Sequence, residues 1–137
     1  MIVIDEAGSI LSFSDAACRM FGYQEAEALG KNVKMLMPNP DRDRHDEYMR
    51  HYMETGEAHV IGIGRVTTAR RRDGSTFPIE LAVGDATSPE GRVFTGFIRD
   101  LTERQRTERR LADLQGELSH ISRVSAMGSL ASALAHE

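Results

Sequence analysis

The stretch RHDEYMRHYMETGEAHVIGIGR, residues 44–65, holds three of the five histidines and closes on an arginine among glycines and aliphatic residues. Imidazoles at this density can ligate a metal, hold a prosthetic group or move protons, provided that they point at one place. Successive helical residues turn by about 100°. Counting from His45, positions 48, 49 and 52 return to the same face, so His45 shares a stripe with Tyr48, Met49 and Tyr52. His51 lies about 240° away and cannot join it. A helical zinc pair needs histidines four residues apart, and the residue at that spacing from His45 is Met49, so zinc is poorly served. Two readings of His45 stay open on spacing alone. It is either a hydrogen-bonded histidine at a core, or a single axial haem ligand facing an apolar cavity with an open position opposite. In the extended run that follows, His59, Ile61, Ile63 and Arg65 alternate onto one face, with Val60, Gly62, Gly64 and Val66 on the other. Glycines in a strand let a flat ligand approach the backbone, and they also permit a bulge. Arg65 reads either as a surface residue whose stem covers the core or as a polar group beside a pocket.

Those side chains need a scaffold. The chain has 137 residues, 40% hydrophobic and 28% charged, with a net charge of -4. This suits one compact domain plus an appendage, and offers no basic stripe for nucleic acid. The single cysteine, Cys18, excludes an internal disulfide and any multi-cysteine zinc or iron–sulfur site, and its place in a helical pattern suits a small hydrophobe. No run of 18 apolar residues exists, so no membrane contact by this segment is expected. MIVID and SILSFS flank EAG and predict a hairpin. Ser14 or Asp15 caps a short helix carrying Ala17, Met20 and Phe21 and stopped by Gly22. QEAEALG makes another helical turn, and KNVKMLMPNPDRDR, with two prolines, reads as a loop over Val33, Leu36 and Met37. A helix is expected from Arg42 to Thr55, then three strands in a meander, the first two joined by the Asp73-Gly74 turn. Phe77, Ile79, Leu81 and Val83 alternate onto one face, and Pro78 marks an edge or a strand start. The expected fold is α+β: a five-stranded antiparallel sheet with short helices on one face, over residues 1–102.

From Thr102 the character changes. TERQ has the form of a capping box with Thr102 as N-cap and Gln105 three residues on. Leu111, Leu114, Leu118 and Ile121 follow a 3-4-3 spacing, repeated by Val124, Met127, Ala131 and Leu134. That is a heptad seam, and a helix with so narrow a stripe wants a partner, here a second copy of the chain. A gap of three between the two sets, where four was due, is a stammer. Residues 103–137 are therefore expected to form a coiled-coil linker. MIVID reads like a strand entered abruptly and LAHE stops inside a helical pattern, so a longer parent protein is expected.

FSDAACRMFGY, GKNVKMLMP, RRDGSTFPIEL and RDLTERQ each resemble blocks of PAS sensor domains. NVKMLMPNPDRDRHDEYMRHY, HVIGIGR and GFIRDLTERQ are similar to the FixL-type oxygen-sensing haem-PAS kinases, nearly continuously to about residue 115. SRVSAMGSLASALAHE resembles the phospho-acceptor box of two-component histidine kinases. The resemblance implies haem b as cofactor, His45 as the axial iron ligand, and O2, CO or NO as small ligands. It implies that Arg65 bonds either a propionate or the gas, that His59 and His51 lie toward the propionates, and that Val60, Leu81 and Val83 surround the gas, with Tyr48, Met49 and Ile61 also lining the pocket. The chain departs at His51, where family members carry an arginine near a propionate; histidine is shorter and neutral over much of the physiological pH range, which bears on anchoring. The resemblance further implies His136 as phospho-acceptor with Glu137 as its acidic partner, a downstream ATP-binding domain, a response regulator, a cytoplasmic location and kinase activity that is high without oxygen. No Gly-rich nucleotide-binding region is present, so the segment is not a complete enzyme. The sole cysteine is outside the reactive-cysteine motif of flavin-adduct photoreceptors. A haem-free PAS interaction module, or one for another small ligand, is the alternative.

Overall fold

The strands β1 (Ile2–Ile4) and β2 (Ile10–Phe13) form the expected hairpin. The Asp5 carboxylate holds its turn by accepting the amides of Ala7 and Ser9 at 3.0 and 2.9 Å. A computed structural model describes the backbone of residues 1–55 and 64–136, and the side chains of residues 1–54 and 64–124. Helix α1 (Asp15–Phe21) starts where the Ser14 hydroxyl accepts the Ala17 amide at 3.2 Å, and stops at Gly22, whose φ of 82° is left-handed. A second short helix, α2 (Glu25–Ala28), buries Ala28.

The segment from Lys31 to Arg44 is only partly a loop. Val33–Leu36 form a 3-10 turn, its start fixed by the Asn32 side chain accepting the Lys34 amide at 3.0 Å, and Leu36 is buried as expected. Helix α3 (Asp41–Thr55) then begins one residue before the apolar periodicity indicates. Three strands follow: β3 (Arg65–Arg70), β4 (Thr76–Ser88) and β5 (Gly91–Asp100). In the β3–β4 turn the Asp73 carboxylate accepts the amide and hydroxyl of Ser75, which holds its carboxyl below the ordinary range. Gly74 takes the left-handed conformation there.

The sheet is antiparallel with strand order β2-β1-β5-β4-β3. The N-terminal hairpin therefore joins the meander through β1 against β5, with Ile2 opposite Gly96 and Ile4 opposite Phe94. Pro78 sits near the start of β4, an interior strand rather than an edge. Its carbonyl accepts the Leu101 amide at 2.9 Å. One face of the sheet packs against the helices through Phe13, Phe21 and Phe77, with ring centroids 6.2 and 5.5 Å apart, joined by Ile2, Ile10, Leu36 and Ile79. Full burial of each such side chain favours folding by about 1.5–3 kcal/mol. Cys18 packs partly buried against this cluster.

Helix α4 (Thr102–His136) follows directly. Its first residue does not cap as the TERQ pattern suggests. Thr102 instead donates its hydroxyl to Asp100 at 2.5 Å, and the same carboxylate oxygen accepts the Thr102 amide at 2.8 Å. An acidic side chain two residues earlier has taken the capping role. The backbone divides into two compact units, Met1–Thr102 and Glu103–Glu137. No helix among the described residues is long and apolar enough to cross a membrane.

Candidate functional site

Helix α3 is amphipathic in an unusual sense: its inward stripe faces space rather than a packed neighbour. None of its residues from 41 to 54 is fully buried. Asp41, His45, Tyr48, Met49 and Tyr52 line one wall of a cavity of about 200 Å³. The stripe counted from His45 is thus the one the fold turns inward. The facing wall comes from Ile79, Leu81 and Val83 of β4 and from Phe94, Gly96 and Ile98 of β5. Period-2 alternation puts Phe77, Ile79, Leu81 and Val83 on one face of β4, where Phe77 near the strand start meets the core and Leu81 and Val83 further along line the cavity.

His45 is the polar centre of this apolar chamber. Its Nδ1 is buried and meets no hydrogen-bond partner among the described residues. Burial pushes its pKa below the usual value; Lys34 adds to this, and Asp46 and Asp41 oppose it. The imidazole is therefore neutral at pH 7, the form that binds metals. Lys34 and Asp46 form an ion pair at 2.8 Å, which holds the Asp46 carboxyl below its ordinary range. Asp41 accepts a hydrogen bond from the Thr67 hydroxyl at 3.3 Å.

Arg65 opens β3, opposite Leu81, and is among the residues lining the cavity although it is itself exposed. No ion pair or hydrogen bond engages its guanidinium among the described residues. Its neighbour Val66 points away and is 66% exposed, so the parity expected for Arg65 and Val66 holds. His51 is exposed and does not line the cavity. His59, Val60, Ile61 and Glu137 lie outside the described residues, as does the side chain of His136.

Sequence reading missed part of the wall. Ile2 and Ile4 of β1, Phe94, Gly96 and Ile98 of β5, and Met37 all line it. The alternation of Phe94, Gly96 and Ile98 was a usable signal; the arrival of β1 beside β5 was not. Also unforeseen is a polar cluster at the C-terminal end of α3. The Tyr52 hydroxyl donates to Asp85 at 2.9 Å, which raises the phenol pKa. Arg92 approaches Asp85 at 4.0 Å and lies over the Tyr52 ring.

A five-stranded antiparallel sheet in this order, with short helices over one face and a small apolar chamber between, is the PAS architecture. The PAS fold model matches residues 1–101, and the chain belongs to the PAS family. Over its full 137 residues it is 58% identical to the sensor protein FixL of Bradyrhizobium diazoefficiens, spanning 27% of that protein. Over 123 residues, 89% of the chain, it is 31% identical to the oxygen sensor protein DosP of Escherichia coli K12, spanning 15% of it. The chain thus covers under a third of these curated relatives. The PAS domain of an HTR-like protein from Haloarcula marismortui matches 72% of this chain and 78% of its own at a TM-score of 0.56 and 24% identity, a likeness of fold alone.

The chemistry of the chamber fits the haem implied by the sequence resemblance. It offers one neutral imidazole with an orphaned buried nitrogen, apolar walls, and an arginine among its lining residues. An unpartnered buried polar atom costs about 1–3 kcal/mol, which coordination or a hydrogen bond would relieve. A sheet position without a side chain, Gly96, lies on the facing wall; a Cβ there would meet Leu81 at 3.6 Å.

Proposed function

We propose that residues 1–102 are a haem-based oxygen-sensing PAS domain, and that residues 103–137 are the linker and first part of the phospho-acceptor helix of a histidine kinase. The observation that carries this reading is the buried, unpartnered Nδ1 of a neutral His45 inside an apolar chamber. The 58% identity to FixL and the likeness to DosP support it. Haem b bound there would supply an iron able to take O2, CO or NO. His45 would hold it; by the resemblance Tyr48, Met49, Ile61, His51 and His59 would help to bind it, and Val60, Leu81 and Val83 would help to exclude water. Arg65, with no competing partner among the described residues, is free to donate either to a propionate or to the gas. A charge-assisted hydrogen bond is worth about 1.5–3 kcal/mol, so Arg65 sets gas affinity by about 10- to 100-fold.

The output passes to α4. Its stripe of Leu111, Leu114, Leu118, Ile121 and Val124 is exposed at every position, as a helix awaiting a second copy should be. In the parent protein His136 would accept the phosphoryl group: Glu137 takes the imidazole proton from one nitrogen while the other attacks the γ-phosphate of ATP held by a downstream domain, the bond to the β–γ bridging oxygen breaks and ADP leaves. A response regulator then receives the phosphoryl group. Gas binding shifts this reaction by a coupling of about 1–3 kcal/mol.

One observation favours the second reading, a haem-free module or a site for a smaller ligand. At about 200 Å³ the chamber is below the usual range of about 300–1,000 Å³ for drug-sized ligand sites. Haem entry therefore requires α3 to part from the sheet. Absorption spectra of the purified chain under nitrogen, air and carbon monoxide, before and after addition of haemin, decide between them. A Soret band that responds to gas and is lost in His45→Ala is the expected result. A colourless protein that cannot be reconstituted, or a His45→Ala variant with unchanged coordination, overturns the assignment.

A further inference from the structure

We propose that the C-terminal half of α3 is a gate on the chamber, held shut by a latch of Tyr52, Asp85 and Arg92, through which a planar ligand enters and leaves. The inference deepens the reading of the chamber as a ligand site and rests on it.

The case begins with how α3 is attached. Because its inward stripe faces the chamber, it lacks the fully buried residues that normally fasten a helix to a sheet. Side-chain ties take their place at both ends. The N-terminal half is fastened to two elements: Lys34, in the 3-10 turn, pairs with Asp46 at 2.8 Å, and Thr67 of β3 donates to Asp41 at 3.3 Å. The C-terminal half meets the sheet near the turn end of the β4–β5 hairpin. There the Tyr52 hydroxyl donates to Asp85 at 2.9 Å, and its ring stands edge-on to Phe94 at 5.8 Å. Arg92 completes the cluster, with its guanidinium 4.0 Å from Asp85, 5.7 Å from the Tyr52 ring centre and 3.7 Å from the Met53 sulfur.

Arg92 is positioned in turn by the neighbouring hairpin, since its backbone amide donates to Glu6 at 3.1 Å. The latch thus has a fixed side on β4 and β5 and a movable side on α3. Tyr52 belongs to both structures, lining the chamber and making the tie. A ligand wider than the chamber displaces the Tyr52 ring first. Exposed polar ties of this kind are individually weak and open on fast timescales, which suits a gate better than a permanent wall.

The test uses the 137-residue chain in its cofactor-free form. Amide hydrogen exchange is resolved along α3, and release of anilinonaphthalene sulfonate, an apolar dye, is timed by stopped flow. Tyr52→Phe keeps the ring and removes only the donor. It should speed exchange of amides 48–54 by about 3- to 10-fold, the loss of one exposed hydrogen bond, and leave amides 42–46 unchanged. Dye release should quicken by a similar factor. Asp85→Ala, which removes the acceptor, should do the same, and the double variant no more than either alone. Lys34→Ala should loosen only the N-terminal half. Uniform acceleration along α3, no acceleration at 48–54, or unaltered dye release overturns the gate. Haemin titration of the same proteins separates the two claims. Polarised exchange without a Soret band retains the gate and sinks the cofactor; a Soret band with unpolarised exchange does the reverse.

Discussion

Replacing Asp100 by Ala removes three interactions at the point where β5 ends and α4 begins. One carboxylate oxygen accepts both the amide and the hydroxyl of Thr102, at 2.8 and 2.5 Å. The other lies 3.6 Å from the Arg71 guanidinium, which in turn stacks 3.8 Å from the centre of the core ring Phe77. Loss of a side-chain acceptor at a helix start costs about 0.5–2 kcal/mol. The ion pair is about one-third exposed on the Asp100 side, so its share is at the low end of about 0–1 kcal/mol. The sum is about 1–2 kcal/mol. For a domain of this size each kcal/mol shifts the melting temperature by about 4–8 °C, giving a fall of about 4–16 °C. Thermal unfolding followed by circular dichroism measures it. Asp100→Asn keeps an acceptor for the Thr102 amide and loses only the charge, so it should retain at least half of the difference. An Ala variant melting within about 1 °C of the parent, or an Asn variant as damaged as Ala, would show that Asp100 does not fasten the start of α4 in this way.

Three further outcomes are expected. The cofactor-free protein should lose stability as pH falls below about 6.5, because burial lowers the folded-state pKa of His45 and the unfolded chain then binds more protons; His45→Leu should flatten this slope in chemical denaturation between pH 7 and 5. Leu118→Glu with Ile121→Glu should place like charges in the α4 seam and yield monomers by light scattering, whereas a persistent dimer would assign the contact to the PAS domains. In the longer parent protein, His136→Gln should abolish labelling by γ-phosphate-tagged ATP and His120→Gln should leave it intact; the reverse pattern would move the phospho-acceptor to His120.

What could be read from the chain was local. Ser14 and Gly22 bound α1 because capping and left-handed backbone are properties of single residues. The His45 stripe was countable because helical rotation is fixed, and β4 was legible because Phe77, Ile79, Leu81 and Val83 alternate cleanly. The 3-10 turn at Val33–Leu36 was hidden just ahead of Pro38 and Pro40, and its one cue was Asn32. Asp100 displaced the expected capping role of Thr102 because two acceptors within three residues compete, and sequence spacing does not rank them. The Tyr52–Asp85–Arg92 cluster joins residues 33 positions apart in one of its bonds. Nothing in the local pattern of α3 or β4 announces it, since it depends on how the helix lies across the sheet.

The absence of a fully buried residue on α3 reaches beyond binding. The chamber under that helix is a gap in the apolar interior, and whatever fills it becomes part of the folded protein. A ligand at 100 times its dissociation constant adds about 2.7 kcal/mol to a domain's stability, a sizeable fraction of the about 5–15 kcal/mol that holds a typical domain together. Unfilled copies unfold more often and reach proteases sooner, so cells short of the filling molecule would carry less of the protein as well as less of its active form. Abundance would then report the supply of that molecule on the timescale of protein turnover.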